Sequence, residues 1–315
     1  MPEIRLLVEM AELFETSVDA ILGYGWERGS MAQAAQRIRQ YARDRQLEEG
    51  ARYAERAIQK YPNSFEVIYQ SARLYFVGLT PKSCQRAISL YREAIRLIDQ
   101  NPYEDVNIVT IENDMAGAYC YIDKTDEAIA LLKKNNWNGM NDAQIGLLLS
   151  QRKETAEEAL TVLSQGLIGC HSTLYNLCIG YANAYSAMGE LDKIRELMLV
   201  LYEFGQGLRD VGTVTYIDRG DVKIFLVLAA VAVRQKDMGS ARRYLTKARK
   251  IARRFDASPN YCFQGGKFYH GRQDATAYDD MGSTAQDIIL NFLREEDCRD
   301  QLEPIWEDIC NEAEK

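Results

Sequence analysis

One ordered pattern dominates this chain. An amphipathic segment carrying small and aromatic residues is followed, after a short polar turn, by a second segment with Ala, then an aromatic residue or Leu four positions on, then Ala again three later. Apolar residues return at three and four positions, the period of an α-helix with one buried stripe, and strand-like alternation is almost absent. The clearest copy joins Asn113, Ala116 and Tyr119 to Ala128 and Leu132 across a turn at residues 122–125. A second runs from Tyr181, Ala182 and Tyr185 to Leu191 and Ile194, with Gly189 placed where a helix end needs φ > 0. Others use Ala229, Ala241, Leu245 and Ala248; Gly50, Ala54, Ala57 and the terminating Tyr61-Pro62; and Ala72, Tyr75, Ala87, Tyr91 and Ala94. Residues 140–163 give a weaker copy with Leu147 and Ala159. One copy alone fits the core of any helical bundle. Five or six in series predict helical pairs that must stack on one another to bury their faces.

The order of small and large residues resembles the TPR unit, although the spacing wanders around its roughly 34 residues. That resemblance implies an all-α fold, a TPR-like helical-repeat superhelix (α-solenoid), with a concave groove lined by the first helix of each pair. Projected onto that geometry, Tyr69, Arg73, Asn113, Asn176 and Asn183 face the groove. An Asn amide offers both donor and acceptor, so it can clamp a peptide backbone without reading side chains. The plainer account of each is a solvated polar residue.

Two stretches interrupt the pattern. Residues 204–219, with Gly205, Gly207 and Gly212, and residues 256–283, with Pro259, Gly265, Gly266, Gly271 and Gly282, read as long connections, the places where binding residues concentrate. An acidic amphipathic helix over 285–314 is expected to cap the open end.

The first residues carry a second resemblance. Pro2, Glu3 and Leu7 open one helix, and Ser17-Val18-Asp19-Ala20-Ile21-Leu22-Gly23-Tyr24 form a shorter one capped by Ser17 and ended by Gly23. This resembles the last two helices of a Cro/CI-like (XRE family) helix-turn-helix domain. The family's recognition helix, the element that enters the major groove, has no counterpart here, so no residue is assigned to base readout. The expected organisation is a remnant of that domain at 1–28, repeats at 29–204, and further repeats, loop insertions and the cap at 205–315. The two resemblances together imply the sensor and dimerisation region of a bacterial transcription regulator: a homodimer that binds a peptide or protein in its groove and reaches DNA only through a helix-turn-helix completed upstream of Met1. A stand-alone TPR adaptor, with the first helices serving as a cap, is the alternative.

Composition narrows the chemistry. With 38 basic against 46 acidic residues, the net charge of -8 disfavours sequence-blind adhesion to nucleic acid or anionic membranes. The longest apolar run, residues 225–233, is too short for a bilayer that needs about 20. Seven scattered cysteines, never in a C-x-x-C pair, read as reduced thiols of a cytoplasmic protein. Only His171 and His270 are present, neither in a catalytic or metal-ligand spacing with Cys170 or Cys262, so no enzyme activity, cofactor or metal is expected. The glycine-rich segment 23–29 follows no strand and lacks a P-loop lysine. Arg242, Arg243, Lys247, Arg249, Lys250, Arg253 and Arg254 form a basic helix face, expected to be solvated or paired with the acidic tail.

Overall fold

The computed structural model describes residues 24–271 and 277–312, together with Leu6, Glu9, Met10, Leu13 and Phe14. Apart from those five, the segment that resembles the XRE domain up to Gly23 lies outside the described residues. The chain divides into two compact units, Met1–Leu148 and Leu149–Lys315, whereas sequence punctuation suggested a boundary at 204. Among the described residues every regular element is helical, with a lone antiparallel bridge between Arg209 and Gly266.

The first unit is a run of hairpins: α1 (Tyr24–Arg43), α2 (Leu47–Lys60), α3 (Phe65–Val77), α4 (Pro81–Arg96), α5 (Ile108–Cys120) and α6 (Thr125–Lys134), then α7 (Asp142–Leu149) at the boundary. Local chemistry sets these boundaries. Thr80 and Ser83 form a capping box with Pro81 in the first turn of α4, Asn107 and Thr110 form another at α5, and Ser64 accepts the Val67 amide at α3. From α1 to α6 each helix packs on its successor, and α1 also packs on α3, the arrangement of stacked helix pairs. The small residues lie at the contacts: Ala54, Ala72, Ala87, Ala94, Ala116 and Ala128 are buried. A Cβ on Gly50 would stand 2.8 Å from the Cβ of Tyr41, so only glycine permits that approach of α2 to α1.

The second unit contains α8 (Ala156–Met188), α9 (Leu191–Gly207), α10 (Ile217–Arg234), α11 (Met238–Ala257), α12 (Ala285–Glu295) and α13 (Arg299–Glu312). Its core centres on α10, which packs against α9, α11, α12 and α13 and is buried on nearly all sides. That accounts for the uninterrupted apolar run 225–233: a helix enclosed all round has no face left for polar residues.

One device recurs at the turns inside the pairs. Arg45, Leu79, Asp123, Gly189 and Lys236 each adopt positive φ between the two helices they join, and Gly189 does so at 75° as its sequence position predicts. Four of the five are not glycine, which is why the sequence shows only one of them.

Two expectations are corrected. Residues 156–188, read as parts of two repeats, form one continuous helix, because that stretch holds no proline and its interior glycines lower helix stability without stopping it. The terminal cap is two helices. The chain is extended at Glu296, and α12 and α13 pack on each other and on α10 and α11 as a further pair.

Candidate functional site

In the second unit, α8, α10 and α12 line a groove, completed by the connection between α11 and α12. One part, about 680 Å³, is walled by Ile168, Tyr175, Asn176 and Ile179 of α8, Tyr216, Gly220 and Lys223 at α10, and Phe292 and Glu295 of α12. An adjoining part of about 850 Å³ runs past Asn183, Ser186, Val227, Arg234 and Glu296. These are the first helices of successive pairs, which is where a helical-repeat array presents its inner surface.

Buried charge holds the wall in place. Asp218 at the start of α10 has no solvent exposure, is ion-paired with Arg209, and accepts from Arg254 and, at 2.8 Å, from the amide of Thr215. Asp221, one turn on, accepts from Arg209 and from Gln206 at 3.0 Å. Burial pushes the Asp221 carboxyl above its ordinary range even though Arg209 opposes the rise. Arg219, 1% exposed, lies over the rings of Phe255 and Tyr261 and donates two bonds of 2.8 Å to Asp279 and one of 2.6 Å to the Gly282 carbonyl. Burial alone would raise the Asp279 carboxyl, but hydrogen bonds from Arg219 and Tyr216 keep it below its usual value. The connection is tied down further: Asn260 donates to the carbonyls of Val214 and Gln264, and Tyr261 donates to that of Ser283. The two glycine-punctuated stretches thus close on each other as a strap over one end of the groove.

The groove has acidic character. Glu295, Asp280 and Asp297 line it without an ion pair among the described contacts, whereas Glu296 is paired with Arg234 and Asp279 with Arg219. Besides the paired Arg234, Lys223 faces the groove 4.6 Å from the centre of the Phe292 ring, and burial lowers its pKa against the pull of Glu295 and Glu296. His171 stacks on Phe204 in the wall, and burial together with Arg209 lowers its pKa.

The five residues projected onto a groove divide between the units. Asn176 and Asn183, two helical turns apart, are exposed on the groove wall of the second unit. Tyr69 and Arg73 belong to a separate cleft of about 490 Å³ in the first unit, with Arg39, Arg43, Arg45 and Tyr103. Tyr69 itself is buried, packed on Phe65 and Tyr91, with Arg73 over its ring. Asn113 exchanges bonds of 3.1 and 3.2 Å with Asn141, so its amide joins α5 to the start of α7. The basic face of α11 is shared out: Arg242 meets Glu312 and Asp308 of the acidic tail, Lys247 covers the Tyr202 and Phe225 rings, and Arg254 enters the buried network. All seven cysteines are free thiols. Among the described residues, no group of three or more His, Cys, Asp or Glu side chains is placed to hold a metal ion, and no helix is long and apolar enough to cross a membrane.

Sequence reasoning missed Asp218, Arg219, Asp221 and Asp279. The signal lay in charged residues crowded at the start of the most apolar helix, where solvated positions are scarce.

No family model matches the chain, and no curated protein matches it. Among solved structures it is similar to pilF of Pseudomonas aeruginosa, at 15% identity over 70% of this chain and 93% of that one, with a TM-score of 0.33. It is also similar to BtubC (BKLC) from P. vanneervenii, at 18% identity over 79% and 99%, with a TM-score of 0.29. The assignment to a helical-repeat fold rests on the helix pairing described above.

Proposed function

We propose that this chain is a non-catalytic binding protein whose second-unit groove receives an extended peptide or a segment of a protein partner. The observation that carries the reading is the placement of Asn176 and Asn183 on one exposed wall of a continuous groove. Their spacing, about 10 Å along the helix axis, matches about three residues of an extended chain. Amides at that interval hold a backbone while the pocket near Tyr175, Tyr216 and Phe292 takes a side chain. Asp280, Glu295 and Asp297 favour a ligand with basic residues.

The test is equilibrium binding of a randomised, Lys/Arg-biased peptide library to the purified full chain, followed by titration of the selected peptide. Asn176→Ala with Asn183→Ala is expected to weaken that peptide about 10- to 100-fold, since each lost hydrogen bond is worth roughly 0.5–1.5 kcal/mol. Unchanged affinity in the double variant removes the groove from the account.

The match at residues 2–24 favours a more specific reading, in which the groove is the sensor of an XRE-type regulator and peptide binding shifts the relative placement of two protomers. Codons for a recognition helix upstream of Met1, together with an operator shift by the extended product, support it. An upstream stop codon with no DNA shift leaves the stand-alone adaptor.

A further inference from the structure

Among the described residues, helix α8 is unlike every other helix. From Ala159 to Met188 it carries no Asp, Glu, Lys or Arg, yet its buried residues are only Ala159, Ser164, Cys178 and Ala182. A helix face left to water ordinarily carries charge. Instead, positions 160, 163, 167, 170, 174, 177, 181 and 184 hold Leu, Leu, Leu, Cys, Leu, Leu, Tyr and Ala, alternating three and four apart, the period of a coiled-coil seam. Leu177 and Tyr181 are each 55% exposed, Leu160 45% and Leu163 36%, whereas Leu167 and Leu174 are half-buried at the inner edge of the seam, Leu174 against the core of this unit. This seam is on a different face of α8 from Asn176 and Asn183.

A second observation concerns the flank. Gly166, Thr173 and Gly180 recur at seven-residue intervals beside the seam. A Cβ on Gly180 would meet nothing within 4 Å inside this chain. Mid-helix glycine costs about 1 kcal/mol relative to alanine, and here no neighbour within the chain uses the space it leaves. Small residues at this interval allow a second helix to approach closely.

We propose that α8 is a self-association surface on which two copies of this chain pair antiparallel about a two-fold axis at Thr173. The pattern is its own complement under that operation, which is what an isologous interface requires. Leu160 meets Ala184 of the second copy, Leu163 meets Tyr181, Leu167 meets Leu177 and Cys170 meets Leu174. On the flank, Gly166 faces Gly180 and Thr173 faces itself. A different protein partner would be selected by charges bordering the seam, and α8 has none there. A strip roughly 37 Å long and about 12 Å wide on each helix gives on the order of 1,000 Å² in total, where specific interfaces begin. The dimer is therefore concentration-dependent. It does not depend on what the groove holds.

The experiment is sedimentation equilibrium of the full chain up to about 200 μM, with Thr173→Glu and Thr173→Lys beside the wild type. The wild type is expected to dimerise. Each variant alone should associate at least 100-fold more weakly, because like charges then face each other on the axis, and an equimolar mixture of the two should regain dimer. Thr173→Cys in a Cys170→Ser background should oxidise to a covalent dimer through Cys at 173 alone. A wild type that stays monomeric throughout overturns the proposal, as does a dimer that both charged variants leave intact. Circular dichroism confirms that the variants at this exposed position remain folded. Peptide affinity of the monomeric variants separates this result from the groove reading.

Discussion

The two units solve the same packing problem with different materials. In the first, short hairpins are defined locally by capping boxes and tight turns, and the ion pairs described there keep contact with water. Glu55, which receives Arg86 at 3.0 and 2.9 Å and Tyr75 at 2.8 Å, remains about 40% exposed. In the second, the polar ties are taken inside, where Arg209, Asp218, Arg219 and Asp221 are all buried and fix two loops that local sequence leaves undefined. Local signals suffice where connections are short. A long strap over a groove needs long-range ties, and these work as position-setting bonds because they are shielded from water.

The contrast can be broken most forcefully at Asp218. Asp218→Ala leaves buried Arg209 with Asp221 as its remaining carboxylate partner, removes the acceptor of Arg254 and of the Thr215 amide, and is expected to destabilise the chain by about 3–5 kcal/mol in urea unfolding. Glu55→Gln, at the partly solvated pair of the first unit, should cost about 1 kcal/mol or less. Equal losses at the two sites would erase the distinction. Arg219→Met should come next: it releases Asp279 and Gly282, and limited proteolysis is expected to cut the 258–284 connection faster than in the wild type while the first unit stays protected. Smaller again are the turns. Gly189→Ala places a Cβ at φ 75° and should cost about 1 kcal/mol, whereas Leu79→Gly at φ 49° should be neutral within about 1 kcal/mol or slightly stabilising. The smallest effect is the pH dependence through His171. Its folded pKa lies below the ordinary 6.5 because of burial and Arg209. The unfolded chain therefore binds the proton more readily, and stability is full above about pH 6.5 and declines as pH falls toward the folded value. His171→Gln should flatten the melting temperature between about pH 7.5 and 5.5, and an unchanged slope would assign it elsewhere.

How much of this was legible follows the same division. The hairpins around Ala72, Ala87, Ala116, Ala128, Ala182 and Ala241 could be read because their apolar period and small-large order are local properties. The turns at Arg45, Leu79, Asp123 and Lys236 could not, since residues other than glycine adopt positive φ there under the constraint of the helices they join. Asn176 and Asn183 were placed on a groove by helical phase alone. Asn113 has the same phase but meets Asn141, a residue 28 positions away whose approach no periodicity encodes. The buried network was hidden for that reason as well: Arg219 and Asp279 are 60 positions apart and meet only when the strap closes. The unbroken length of α8 was missed because the repeat pattern assigned residues 140–163 to one copy and began the next at Tyr181.

The central claim, that the second-unit groove grips an extended chain, is tested most directly by site-specific photocrosslinking. A benzophenone amino acid at Ile179, which lines both parts of the groove, is compared with one at Val77 in the first-unit cleft, each in the full-length protein expressed in its native cells. The account predicts covalent capture of a peptide or protein segment at position 179 that falls at least tenfold when Asn176→Ala and Asn183→Ala are added. Capture at 179 no greater than at 77, or unaffected by the two substitutions, contradicts it.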